Sequence, residues 1–156
     1  MTEIALIPLY NSGRFTCVDL ADLHLVLGHT WWEWSNNRTS RYAYTTVEGR
    51  TVKLHQLLAS GEQETDHINR NGLDNRRVNL RQCTHIQNSL NRVRRKSTLG
   101  LTGVDFDSRR KRYGARLYVD GLTIALGYFH SAFEAALVRD RAMTEWAGDF
   151  AEYNYK

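Results

Sequence analysis

The chain has 156 residues, enough to bury a real core in one domain or two small ones. No apolar run approaches the ~20 residues a bilayer requires, the first ten residues show no leader pattern, and Cys17 and Cys83 form no Cys-x-x-Cys pair. A cytoplasmic protein with no membrane partner, disulfide framework or four-ligand structural zinc site is therefore expected. The net charge is +4, but residues 70–116 hold thirteen Lys and Arg against three acids, while the remainder holds eight against fourteen. Such segregation costs self-repulsion, which a phosphate backbone relieves by counterion release, although a solvated basic face would carry the same charge.

Phe15, Cys17 and Val18 predict a strand ending at Asp19, a capping residue type, and the spacing then predicts a helix over 20–27 closed by Gly28. Trp31, Trp32 and Trp34 form an aromatic cluster of the core-packing kind. Residues 42–47 and 51–54 flank Glu48-Gly49 and predict strands joined by a tight turn. His55 opens a short helical connection through residue 58. Residues 64–68 predict a further strand, and Asn71-Gly72, two residue types that tolerate positive φ, predict a hairpin turn.

Thr84-x-x-Gln87 has the form of a capping box for a helix from about residue 85. Ile86, Leu90 and Val93 share one stripe of it, which turns Asn88 and Asn91 to a different face. Arg92, Arg94, Arg95 and Lys96 end the helix where cations suit its dipole. Ser97-Thr98-Leu99-Gly100 then reads as a linker, giving domains 1–97 and 98–156. Beyond it, residues 113–119 and 122–129 alternate around Asp120-Gly121, with Val119 opposite Leu122, Tyr118 opposite Thr123, Leu117 opposite Ile124 and Arg116 opposite Ala125. Ser131-x-x-Glu134 opens a helix through about Trp146, whose Phe133, Ala136, Leu137 and Met143 are expected to cover the Leu117/Val119/Leu122/Ile124 face.

Hydrolysis of a phosphodiester takes a base to deprotonate water, a Lewis acid at the phosphate and a fold that holds both in line. An imidazole suits the first role; a carboxylate and a carboxamide suit magnesium in the second. Asp66, His67 and Asn88 supply those types. Their setting is Thr65-Asp66-His67-Ile68, then Asp74-Asn75-Arg76-Arg77-x-Asn79-Leu80-Arg81, then Thr84-x-x-x-Asn88. It resembles the HNH homing endonucleases of bacteriophages and their introns. That resemblance implies an α+β fold with a ββα-metal (HNH, His-Me finger) core over about 54–96, in the cytoplasm of a bacterial host. It also implies a divalent cofactor, magnesium or manganese, and no small-molecule cofactor. By the same resemblance Asp66 and Asn88 are metal ligands, His67 is the general base and Asn79 braces hairpin and base. Arg76, Arg77 and Arg81, with Arg92, Arg94, Arg95 and Lys96, become DNA contacts. His55 stands where the family has a His-Arg pair, but Gln56 replaces the arginine; Asp74 and Asn75 read equally well as turn residues.

Gly103-Val104, Tyr113-x-Ala115, Leu126-Gly127-Tyr128-Phe129 and Glu134-Ala135-Ala136 resemble the plant ethylene-response-factor type of DNA-binding domain. This implies a three-stranded antiparallel sheet packed on one helix, with its outer face in the major groove. Arg109, Arg110, Arg112, Arg116, Tyr118 and Thr123 are then contact candidates. Asp105 and Asp107 stand where the plant domains have arginines and Tyr113 replaces a tryptophan, so base specificity does not carry over. The expectation is a monomer or weak dimer that nicks one strand of double-stranded DNA. An inactive DNA-binding regulator and an RNA-binding domain are the alternatives.

Overall fold

The structure, a computed structural model, describes residues 3–35, 40–59, 63–91 and 96–155. Among them the chain is α+β, with ten strands in small antiparallel sheets and four α-helices, packed as two units, Met1–Thr84 and His85–Lys156. None of the described helices is long and apolar enough to cross a membrane.

In the first unit, β1 (Ile4–Pro8) pairs with β2 (Phe15–Asp19). β3 (Trp32–Ser35), β4 (Arg41–Val47) and β5 (Arg50–Lys53) form a second sheet. Its Glu48-Gly49 turn has φ of 50° and 76°, the left-handed pair that matches the twist of a two-residue hairpin. After α2 (Leu54–Leu58), β6 (Glu64–His67) pairs with β7 (Leu80–Cys83), placing Asp66 opposite Arg81 and His67 opposite Leu80. Ile7, Leu9, Val18, Val26, Trp31, Ala43, Leu54 and Leu58 form the core. Removing their apolar surface from water is the main drive holding these small sheets together.

Two local expectations fail here. The helix over 20–27 is a 3-10 turn, Leu20–Asp22, followed by one turn of α1 (Leu23–Val26), and Gly28 is not left-handed. Asp19 makes no side-chain cap; its Oδ2 accepts the backbone N–H of Arg77 at 2.7 Å, so a distant donor outcompetes the local ones. Asn71-Gly72 is not the centre of a two-residue hairpin either, since the left-handed residue is Arg70 (φ 63°) and residues 68–79 all separate the paired strands. Asn71 begins a turn instead, its carbonyl accepting from Asp74 N–H at 3.0 Å and its Oδ1 from Leu73 N–H at 3.1 Å. Gly72 is required by close approach, because a Cβ would collide with the Arg41 carbonyl and the Tyr42 ring.

The second unit holds α3 (His85–Leu90), β8 (Val104–Asp107), β9 (Arg112–Val119), β10 (Leu122–Phe129) and α4 (Ala132–Ala147). The sheet order is β10-β9-β8, and all four pairs predicted around Asp120-Gly121 (φ 48° and 79°) are present. The Ser131 hydroxyl accepts the Glu134 N–H at 3.1 Å and Glu134 accepts the Ser131 N–H at 3.3 Å, completing the capping box. The face of α4 differs from the expected one. Ala135, Ala136, Met143 and Ala147 are buried, whereas Phe133, Leu137 and the strand residue Leu122 are exposed. Small side chains let the helix lie close on the sheet, which excludes the bulky ones. Leu90 of α3 packs with Leu117, Val119, Met143 and Ala147. Val93 and the basic residues Arg92, Arg94 and Arg95 lie outside the described residues.

Candidate active site

β6 delivers Asp66 and His67, 7% and 4% exposed, to the start of the 68–79 connection. That segment has almost no ladder of its own, so side chains satisfy its backbone. Asn79 Oδ1 accepts from Asn69 N–H at 2.9 Å, and Asn79 Nδ2 donates to the Asp74 carbonyl at 2.7 Å. β2 grips the middle of the segment, with Cys17 N–H on the Leu73 carbonyl at 2.9 Å and Asn75 N–H on the Cys17 carbonyl at 2.8 Å. One sequence-distant strand, β2, thus grips the loop that faces His67.

His67 Nε2 lies 3.1 Å from Asn75 Oδ1. The His55 ring meets it edge-on at 4.8 Å, and Tyr42 lies 5.9 Å from His67 and 5.7 Å from His55. Burial pushes the His67 imidazole below its ordinary value, against the opposing pull of Asn75, Asp66 and Asp74. Burial, then His67 and Lys53, push His55 down to about 3. Both rings are neutral at pH 7, and a neutral imidazole is what a general base must be.

The carboxylates divide in role. Asp74 accepts from Arg76 at 2.6 and 2.7 Å and from Cys17 Sγ at 3.3 Å, and Arg76 holds its carboxyl down to about 2. It is spent on structure. Asp66 Oδ2 accepts from Arg81 Nε at 3.1 Å and Nη2 at 3.0 Å. Among the described residues no three His, Cys, Asp or Glu side chains gather as a metal cage. The hard oxygens of Asp66 still fit a magnesium-like ion, which completes its shell with carboxamide, phosphate and water oxygens rather than with a protein cage. Asn88 sits on α3 in the second unit.

The DNA-contact candidates differ in how they are held. Arg77 is lashed to Asp22 at 2.8 and 2.9 Å and to the Leu58 carbonyl at 2.8 Å. Arg76 and Arg81 are the partners of Asp74 and Asp66, and Lys96 is exposed. On the outer face of the second unit's sheet, Arg116 pairs with Asp105 and Arg112 with His130. Arg110 pairs with Asp107 at 2.8 Å and lies 4.6 Å over the Tyr128 ring. Arg109, Tyr118 and Thr123 are exposed, and Thr123 lines a groove with Gly114 and Ala125.

Sequence reasoning missed Thr16, Tyr42 and Tyr128, and left Asn75 as a turn residue. Tyr128 was not legible by register: the pairs counted from Asp120-Gly121 set it opposite Tyr113, and a register shift between Ala125 and Gly127 places it opposite Gly114 on the outward parity of β9. Thr16, 59 residues from Asn75, carried no signal. No protein-family model matches the chain, and neither does any curated protein or solved structure.

Proposed function

We propose that the chain is a metal-dependent DNA endonuclease of the HNH kind that nicks one strand of a duplex. The observation that supports it is a buried, neutral His67 beside the carboxylate of Asp66, held by a polar frame from two other segments. In this reading His67 takes a proton from water as the water oxygen bonds to phosphorus and the bond to the leaving oxygen breaks. Arg81 orients the Asp66 carboxylate, and Asn79 holds the loop in register. A divalent ion held by Asp66 supplies a Lewis acid for the charge that develops on phosphate and leaving group. The part of Asn88 as second ligand rests on the sequence resemblance alone. The sheet of the second unit offers arginines to phosphates and base edges. One base serves one strand, so a monomer nicks.

The test is conversion of supercoiled plasmid to open circle with magnesium or manganese, beside His67→Ala and an EDTA blank. The expected result is metal-dependent nicking that falls by roughly 100-fold or more in the variant while DNA binding persists. Binding without cutting under either metal overturns the enzyme in favour of a DNA-binding regulator; exclusively concerted double-strand breaks overturn nicking; preference for RNA over duplex DNA overturns the substrate.

A further inference from the structure

A neutral histidine can act as a base only through the ring nitrogen that lacks hydrogen, so the tautomer of His67 decides which way it faces water. Hydrogen bonds around Asn75 determine that tautomer without any assumption about the ring. Thr16 and Asn75 are both fully buried. The Thr16 hydroxyl has one hydrogen and gives it to the Leu73 carbonyl at 2.8 Å, so toward Asn75 its oxygen can only accept. Asn75 therefore turns its NH2 to Thr16, at 2.8 Å. The same NH2 reaches the Gly72 carbonyl at 3.3 Å, again a group that only accepts. Both partners demand the same amide orientation, which leaves Asn75 Oδ1 facing His67 Nε2 at 3.1 Å. An amide oxygen cannot donate, so the hydrogen between them belongs to His67.

We infer that Asn75, oriented by Thr16, is a positioning residue that fixes His67 as the Nε2–H tautomer and makes Nδ1 the nitrogen that accepts the proton from water. The inference rests on the nuclease reading for its function and on hydrogen-bond chemistry alone for its geometry. Gly72 enters twice, through its carbonyl and through the close packing on Tyr42 that keeps the turn in place.

The experiment is long-range proton–nitrogen NMR of the ¹⁵N-histidine-labelled full chain, with His67→Gln to assign the signal, alongside steady-state nicking kinetics. The parent is expected to show His67 protonated at Nε2. Asn75→Ala is expected to give a mixture of tautomers and a kcat lower by roughly tenfold or more with DNA affinity kept. Thr16→Ser keeps tautomer and rate where Thr16→Val loses both. A parent that nicks but carries its hydrogen on Nδ1, or an Asn75→Ala variant with tautomer and kcat unchanged, overturns the inference while the nuclease reading stands. A parent with the Nε2–H tautomer that never cuts overturns the nuclease reading and, with it, the role assigned to Nδ1.

Discussion

The two units bury polar groups for different ends. In the first, Thr16, Asp66, His67, Asp74, Asn75 and Asn79 are all nearly inaccessible and converge on a connection that has little regular structure. In the second, the sheet and α4 bury mostly aliphatic and alanine side chains, and the buried polar pair Arg139 and Asp140 ties down the chain end. Asp140 accepts from the backbone of Asn154 at 2.7 Å and of Tyr155 at 3.1 Å, while Asn154 bonds both backbone groups of Thr102. A buried polar group costs free energy unless it is bonded. Where the bonds close a terminus the result is stability; where they converge on an imidazole the result is a defined reactive group.

The comparison breaks first at Asp140. Asp140→Ala removes the acceptor of Arg139, at 2.9 Å, and leaves a guanidinium that is 3% exposed without its carboxylate. The expected loss is about 3–5 kcal/mol, measured by urea unfolding, with the nicking rate per folded molecule unchanged. A loss under about 1 kcal/mol, the size of one ordinary hydrogen bond, would show that the tail is not clamped. The next effect is in acid and belongs to the first unit. His55 is held near 3 against an ordinary 6.5. The unfolded chain therefore takes up a proton that the folded one refuses, so this contribution is complete above pH 6.5 and falls as pH drops from there toward 3. The slope is about 1.4 kcal/mol per pH unit, and His67, also lowered, adds to it in the same direction. Trp146→Phe leaves Trp31, Trp32 and Trp34 to report the first unit by fluorescence. Stability by that signal is expected to fall by at least about 1.5 kcal/mol between pH 6.5 and 5. In His55→Gln the slope is shallower by the share of one proton, and a flat parent profile would mean that His55 is not held neutral.

The same division explains what the sequence disclosed. Glu48-Gly49 and Asp120-Gly121 were legible because two consecutive left-handed residues admit few types and period-two alternation fixes the register beyond them. Ser131 and Glu134 were legible because their cap is local. Asp19 and Asn71-Gly72 misled because the same residue types serve tertiary demands: Asp19 bonds Arg77 instead of its own helix, and Gly72 admits Tyr42 instead of a positive φ. In the site, Asp66, His67 and Asn79 stood out through the family resemblance that their setting carries. The partners that orient His67 did not, since Thr16 reaches Asn75 across 59 residues and no periodicity encodes such a bond.

The smallest effect lies on the outer sheet face, where charges meet solvent. Arg116 pairs with Asp105 across side chains that are 39% and 46% exposed, and such a pair contributes little to folding. Its consequence would be felt in binding, because Asp105 cancels a cation at the edge of the groove between Arg116 and Tyr128. Asp105→Asn removes that cancellation without altering shape. If this face meets DNA, the affinity rises a few-fold at low salt and the slope of log affinity against log salt steepens by up to about one, as for one added phosphate contact. Folding stability moves by less than about 1 kcal/mol. An affinity and slope both unchanged would move the DNA contact away from this sheet. The two outcomes separate a surface that carries charge for a partner from one that carries it only for solubility.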